Sequence, residues 1–202
     1  MSKFSQERRD ALKSTCRVVA VTALASGAGV RAFAAGGAMP LAQSTGVPQI
    51  GDTFVFSGGP NKGKEVMVAD VVLGARPELA VAKNPSTGKL EQDDAGEHDH
   101  ATVLFYRVAP DAYPAGMKDD TVEGISCYTA VCPHLGCLVD AWDATDKLFK
   151  CPCHDATFDP VKEGQNISGP RLRVLPLVPI KAVDGKLVVA GKPTGYIGVK
   201  KG

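Results

Sequence analysis

From residue 49 onward the apolar positions fall into short runs of four to eight residues, each closed by Gly, Pro, Asn, Asp or charged residues. Runs of that length read as strands, since a helix needs a 3.6-residue period sustained over ten or more positions. The candidates in chain order are Thr53–Phe56, Glu65–Val72, Leu79–Ala82, Thr102–Val108, Val122–Tyr128, Lys147–Lys150, Val174–Ile180 and Lys186–Ala190. Asp184-Gly185, between the last two runs, is a two-residue hairpin signal, because a type I′ turn requires positive φ at both central positions. An all-β chain closed as an antiparallel β sandwich is the simplest way to bury such strands. The composition agrees: Gly (22) and Pro (14) are plentiful and aromatics make up only 6% of the 202 residues. A 44% hydrophobic content supports one ordinary core.

The first 34 residues follow a different pattern. A basic stretch with Arg8-Arg9 and Lys13 precedes a 13-residue apolar run, Val18–Val30, and then Ala32-Phe33-Ala34, a small-residue cleavage pattern. This order predicts an export signal over 1–34, a small-residue linker over 35–48 and a globular domain over 49–202. The apolar run is too short for the ~20 residues a spanning helix needs, so no stable membrane span is expected once the signal is removed. Arg8-Arg9-Asp10-Ala11-Leu12-Lys13 resembles the twin-arginine export motif, with Ala11 where that motif usually has Phe; the resemblance implies export of the folded protein to the periplasm. Without the signal, 17 Lys/Arg stand against 20 Asp/Glu. A domain of that charge has no electrostatic reason to bind nucleic acid, which needs clustered cations. Lys83–His100 carries Glu91, Asp93, Asp94, Glu97 and Asp99 and reads as a solvated loop; His98 and His100 within it do not define a metal site.

Five of the six cysteines lie between Cys127 and Cys153. Two boxes stand out, Cys132-Pro133-His134-Leu135-Gly136-Cys137 and Cys151-Pro152-Cys153-His154. They give C-x-H, 16 intervening residues, then C-x-x-H, with one extra Cys in each box. Thiolate and neutral imidazole both suit iron, and they also form tetrahedral zinc sites. Zinc fingers usually pair Cys with Cys and His with His along the chain, whereas each box here mixes them. A framework of disulfides alone leaves the histidines unexplained. Cys127 reads as a buried small hydrophobe, and Trp142, the only tryptophan, as packing beneath the boxes.

The boxes resemble the C-T-H-L-G-C and C-P-C-H-G-S motifs of the Rieske [2Fe–2S] family, in the branch with extra disulfide cysteines. That resemblance implies a Rieske fold with a small cluster-binding subdomain of two inserted loops, about 127–170. It implies one [2Fe–2S] cluster held by Cys132, His134, Cys151 and His154, and a Cys137–Cys153 disulfide tying the loops. Gly169-Pro170 then starts the loop that shields the cluster. High-potential members carry Ser and Tyr hydroxyl donors where Ala156 and Phe158 stand here. Their absence and the Asp155 carboxylate beside His154 both imply a lower potential, unless Thr157 supplies a donor.

In function the chain resembles the small Rieske subunit of arsenite oxidase-type periplasmic oxidoreductases. The implied role is electron transfer from a larger catalytic subunit, molybdopterin-containing in that example, to a c-type cytochrome or copper protein. The alternative is the Rieske subunit of a quinol–cytochrome c reductase, which needs a retained anchor and the Ser and Tyr donors. A soluble ferredoxin serving a ring oxygenase normally lacks both the disulfide cysteines and the signal. No nucleophile–base pair points to an enzyme acting alone.

Overall fold

Phe54 and Phe56 point inward from the first strand, β1 (Thr53–Phe56), while Thr53 and Val55 stay half-exposed, the period-two pattern of a strand with one covered face. The computed structural model describes residues 46–91 and 100–200. The expected signal, most of the linker and the acidic centre of Lys83–His100 lie outside the described residues. The strands that follow are β2 (Glu78–Lys83), β3 (Thr102–Arg107), β4 (Ile125–Thr129), β5 (Ala141–Asp143), β6 (Leu148–Cys151), β7 (Ala156–Asp159), β8 (Gln165–Ser168), β9 (Ile180–Val183) and β10 (Lys186–Val189). They form a six-stranded sheet of order β4-β3-β2-β1-β10-β9 and a four-stranded sheet of order β5-β6-β7-β8. Every pairing of strands within them is antiparallel. The fold is therefore all-β, with the small sheet inserted between β4 and β9.

Alternate residues from all six strands of the large sheet, among them Phe54, Ala80, Val103, Phe105, Ile125, Ile180 and Leu187, share one buried cluster. One sheet thus curls around its own interior and supplies both layers of the core. The opposite face of β3 and β4 is buried too, since Leu104, Tyr106 and Tyr128 pack with Phe149, Ala156 and Phe158 of the small sheet. Burial on both faces is why β3 and β4 read as nearly continuous apolar runs rather than alternating ones. Tyr128 and Phe149 meet edge to face with ring centroids 5.5 Å apart, and Tyr106 lies 5.0 Å from Trp142. Trp142 thus packs beneath the boxes as expected. Cys127 is fully buried in the large-sheet core, and that burial pushes its thiol pKa up.

Three expected strands depart from the observed ones by more than a residue at an end. Over Glu65–Val72 the chain makes only isolated bridges, Val55 to Glu65 and Met67 to Lys186, before a single 3-10 turn at Val68–Asp70. The Asp70 carboxylate draws that turn in by accepting the Met67 N–H at 3.0 Å. Val122–Tyr128 is split because Glu123 (φ 49°) and Gly124 (φ 79°) make a tight turn, so the strand starts at Ile125. Val174–Ile180 runs beside β4 with single bonds, such as Val178 N–H to Cys127 O at 2.7 Å. Pro176 and Pro179 remove the donors a ladder needs, and pairing resumes at Ile180. The Asp184-Gly185 hairpin forms as expected, with φ of 50° and 78° and Lys186 paired to Val183. No helix among the described residues is long and apolar enough to cross a membrane.

Candidate metal centre

The small sheet and the end of β4 present two loops side by side. The first leaves β4, and its Val131–Leu138 bridge closes it at the base. Within it the Cys132 N–H donates to Cys137 O at 2.8 Å and the Gly136 N–H to Cys132 O at 3.0 Å. Gly136 sits at φ 82°, a conformation open to glycine at no cost. The second loop, Pro152–Asp155, joins β6 to β7 across the Cys151–Ala156 pair. Its last residue, Asp155, also has positive φ, 54°. A disulfide between Cys137 and Cys153 joins the loops, with Cα atoms 6.6 Å apart.

Cys132 and Cys151 are both buried, and neither is disulfide-bonded. Burial first, and then the neighbouring Cys151, push the Cys132 thiol up to about 11, while the backbone N–H groups of His134 and Leu135 facing its sulfur act in the opposite direction. Such buried cysteines stay protonated on their own and become thiolates only when a cation offsets the charge. The same two loops carry the two imidazoles, His134 and His154, with ring centroids 4.6 Å apart and planes at 83°. His154 is exposed and His134 half-buried. The Nδ1 of His134 is buried and has no hydrogen-bond partner. A buried ring nitrogen left without a partner fits a metal ligand, because imidazole nitrogens are otherwise hydrogen-bonded when removed from water.

The donors come as two pairs rather than one ring of four. Among the described residues, the three metal-binding atoms found within 4.8 Å of one another are the sulfurs of Cys137, Cys151 and Cys153, two of which are already bonded together. A single tetrahedral zinc draws its four donors into one tight shell, at ~2.0–2.3 Å from the ion. Thiols paired with thiols and imidazoles paired with imidazoles instead suit a two-metal group with a different ligand type at each end.

The expected tuning residues line the second box. Ala156 and Phe158 are fully buried on one face of β7. The Thr157 hydroxyl lies 2.7 Å from that of Ser168, so it is engaged across the β7–β8 pair. The Asp155 carboxylate meets Lys150 Nζ at 2.9 Å in an exposed ion pair that holds its pKa below the usual carboxylate range. That partner offsets the charge expected to act on His154, and nothing in the hydrophobic pattern pointed to Lys150. Gly169, at φ 82°, lies flat on the box: a Cβ there would stand 2.7 Å from Ala156 Cα and 2.9 Å from Asp155 O. Half-buried Pro170 follows it. Sequence reading did not single out Asn166, although it organises the same loop. Its side chain accepts the Leu172 N–H at 3.2 Å and donates to the carbonyls of Thr157 and Ser168 at 3.1 and 2.9 Å.

Residues 82–179 match the family model of the Rieske [2Fe-2S] domain. A Haloferax mediterranei protein named as a Rieske subunit of respiratory nitrate reductase is 36% identical over 102 residues, 50% of this chain and 46% of that one. The cytochrome b6-f complex iron-sulfur subunit of Chlorobaculum tepidum is 41% identical over 66 residues, 33% of this chain and 35% of that one. The chain thus spans less than half the length of either relative. The crystal structure of the soluble domain of Rieske protein II from Sulfolobus acidocaldarius superposes with a TM-score of 0.36 at 19% identity, covering 50% of this chain and 67% of that one.

Proposed function

Since this chain carries a Rieske [2Fe–2S] domain over residues 82–179, we propose that Cys132 and Cys151 ligate one iron of its cluster and His134 and His154 the other. The observation that carries this assignment is the pairing of donors: two neighbouring buried cysteines on the two loops, and two imidazoles in ring contact on the same loops, one of which keeps a buried Nδ1 without a partner. When bound, the cluster supplies one-electron chemistry. The protein's residues set who can reach it and at what potential. The thiolate end is sealed by β4, β6 and the aromatic layer beneath them, whereas exposed His154 and Leu135 bring the imidazole end to the surface. Electrons would therefore enter and leave on the histidine side, by contact with another protein's redox group and without a bound substrate.

The chain is an electron-transfer subunit, and in our reading its donor is a larger catalytic oxidoreductase subunit and its acceptor a c-type cytochrome or copper protein. The Haloferax protein's name, a Rieske subunit of a nitrate reductase, supports a large redox partner. The pattern of residues 1–34 and the Cys137–Cys153 bond both suit a folded protein exported to an oxidising compartment, the periplasm. Ala156 and Phe158 offer no O–H to the cluster, and the hydroxyl of Thr157 is held by Ser168. The potential is then expected in the lower or middle part of the ~−150 to +300 mV range of Rieske centres.

Electron paramagnetic resonance of the reduced protein during a redox titration tests the reading. A rhombic Rieske signal with such a midpoint supports it. A high midpoint that falls as pH rises through the histidine range would favour quinol oxidation instead, with exposed His154 as proton acceptor. A zinc-bearing protein without signal would overturn it.

A further inference from the structure

Arg173 follows the Gly169–Leu172 stretch that covers the second box, and its side chain has no part in the ligand set. Its guanidinium donates from Nη1 to the carbonyl of Tyr196 and from Nη2 to the carbonyl of Gly198. The same group lies over the Tyr196 ring, 5.5 Å from its centroid. Between those two carbonyls sits Ile197, an apolar side chain that is buried. Gly198 has φ 72°, and a Cβ on it would stand 2.7 Å from His100 Nε2 and 3.3 Å from Val131 Cγ1. Val131 is the residue before Cys132. One arginine thus joins the cover over the second box to a strap, Tyr196–Gly198, that rests on the root of the first.

We infer that Arg173 is a positioning residue: through the strap Tyr196–Gly198 it latches the Gly169–Leu172 cover and the base of the Cys132 loop to one another, and so fixes how far water reaches the cluster. This rests on the ligand assignment proposed above. The chemistry calls for arginine, because two carbonyls two residues apart and an aromatic face together match a planar fork of donors, which an ammonium cannot provide. Gly169 already lies against Ala156 and Asp155 without space for a side chain. A small displacement of Arg173 therefore lifts the cover as a unit rather than bending it locally.

The test uses the full cluster-loaded chain and the variants Arg173→Ala, Arg173→Lys and Tyr196→Ala. Hydrogen exchange, chelator-driven loss of cluster colour and the midpoint potential are measured on each. Arg173→Ala is expected to speed amide exchange at Leu172 and at Cys132 together. Cluster loss is expected to accelerate about tenfold, the lower end for losing an outer-shell contact. The midpoint should move upward, since water stabilises the more negative reduced state. Arg173→Lys should not rescue these changes, and Tyr196→Ala should fall between.

Exchange that rises at residues 196–198 alone, with wild-type values at Cys132, Leu172, chelation and potential, would overturn the latch. Full rescue by lysine would do the same. If Arg173→Ala does not fold, the other two variants carry the comparison. A wild-type chain that binds no iron would overturn the ligand assignment instead, and exchange on the iron-free chains still decides the latch.

Discussion

Ala156 and Phe158 lie on the face of β7 turned to the aromatic layer, and neither carries an O–H. A hydroxyl donated to a cluster sulfur strengthens as the added electron raises the sulfur's charge, so its absence favours the oxidised state. Phe158→Tyr restores one donor in nearly the same volume. A hydrogen bond worth ~1.5 kcal/mol more in the reduced state corresponds to a rise of roughly 60 mV for one electron. A redox titration of this variant against the wild type is expected to show that increase, and an unchanged midpoint would mean that the ring does not face a cluster sulfur. These residues were legible in the sequence because a short motif fixes their place relative to Cys151 and His154. The Lys150 partner of Asp155 was not, because it arises from register: Lys150 pairs with Thr157 across β6–β7, which brings its side chain beside the loop that ends at Asp155.

Asp52, at the entrance to β1, is the clearest case of an element held at a cost. It is 2% exposed and accepts the Gln49 N–H at 2.8 Å, yet burial, aided by neighbouring Glu91, raises its pKa from 3.8 to about 6. A carboxyl with a raised folded pKa holds its proton more tightly folded than unfolded. Its contribution to stability is therefore full below about pH 4 and is lost as pH rises through about 6, the loss amounting to roughly 2–3 kcal/mol for a shift of about two units. Denaturant unfolding at pH 4.5 and pH 7.5 should show Asp52→Asn gaining on the wild type as pH rises, while the asparagine oxygen keeps the Gln49 bond. A stability difference that does not change with pH would mean that Asp52 titrates normally. No hydrophobic pattern reveals such a group, and the same holds for β5, β7 and β8. Each of these strands is only three or four residues long and is half occupied by ligand-box, turn or polar residues, so its alternation is too brief to register. The longer strands of the large sheet were legible wherever a full face is buried. They were misread where Pro176 and Pro179 or the Glu123-Gly124 turn interrupt an otherwise apolar run.

At the scale of the whole molecule, two features make conflicting demands on compartment. Reduced thiols and a supply of iron and sulfide are needed to fill the site proposed at Cys132, His134, Cys151 and His154, which is a condition of the cytoplasm. The Cys137–Cys153 bond between the same two loops needs an oxidising environment. Both demands are met in order if the cluster is assembled first, the folded chain then crosses the membrane, and the disulfide closes afterwards. Arg8 and Arg9 are the residues that would carry this order, as the pair resembling the twin-arginine motif. Changing both to Lys keeps the charge of the region but removes the motif. The expected outcome is a chain retained in the cytoplasm with its cluster and with Cys137 and Cys153 as free thiols, against a wild type that reaches the periplasm with both oxidised. Cell fractionation, thiol labelling with mass spectrometry and electron paramagnetic resonance on each fraction measure the three together. Export of the double-lysine chain in normal amount would break the proposed order at its second step. A cytoplasmic chain already carrying the disulfide would break it at the third, and would mean that the two loops close on one another without help from the compartment. In that case the bond would belong to cluster assembly itself, because the segment between Cys137 and Cys153, which lie 16 positions apart, includes the entire approach to Cys151.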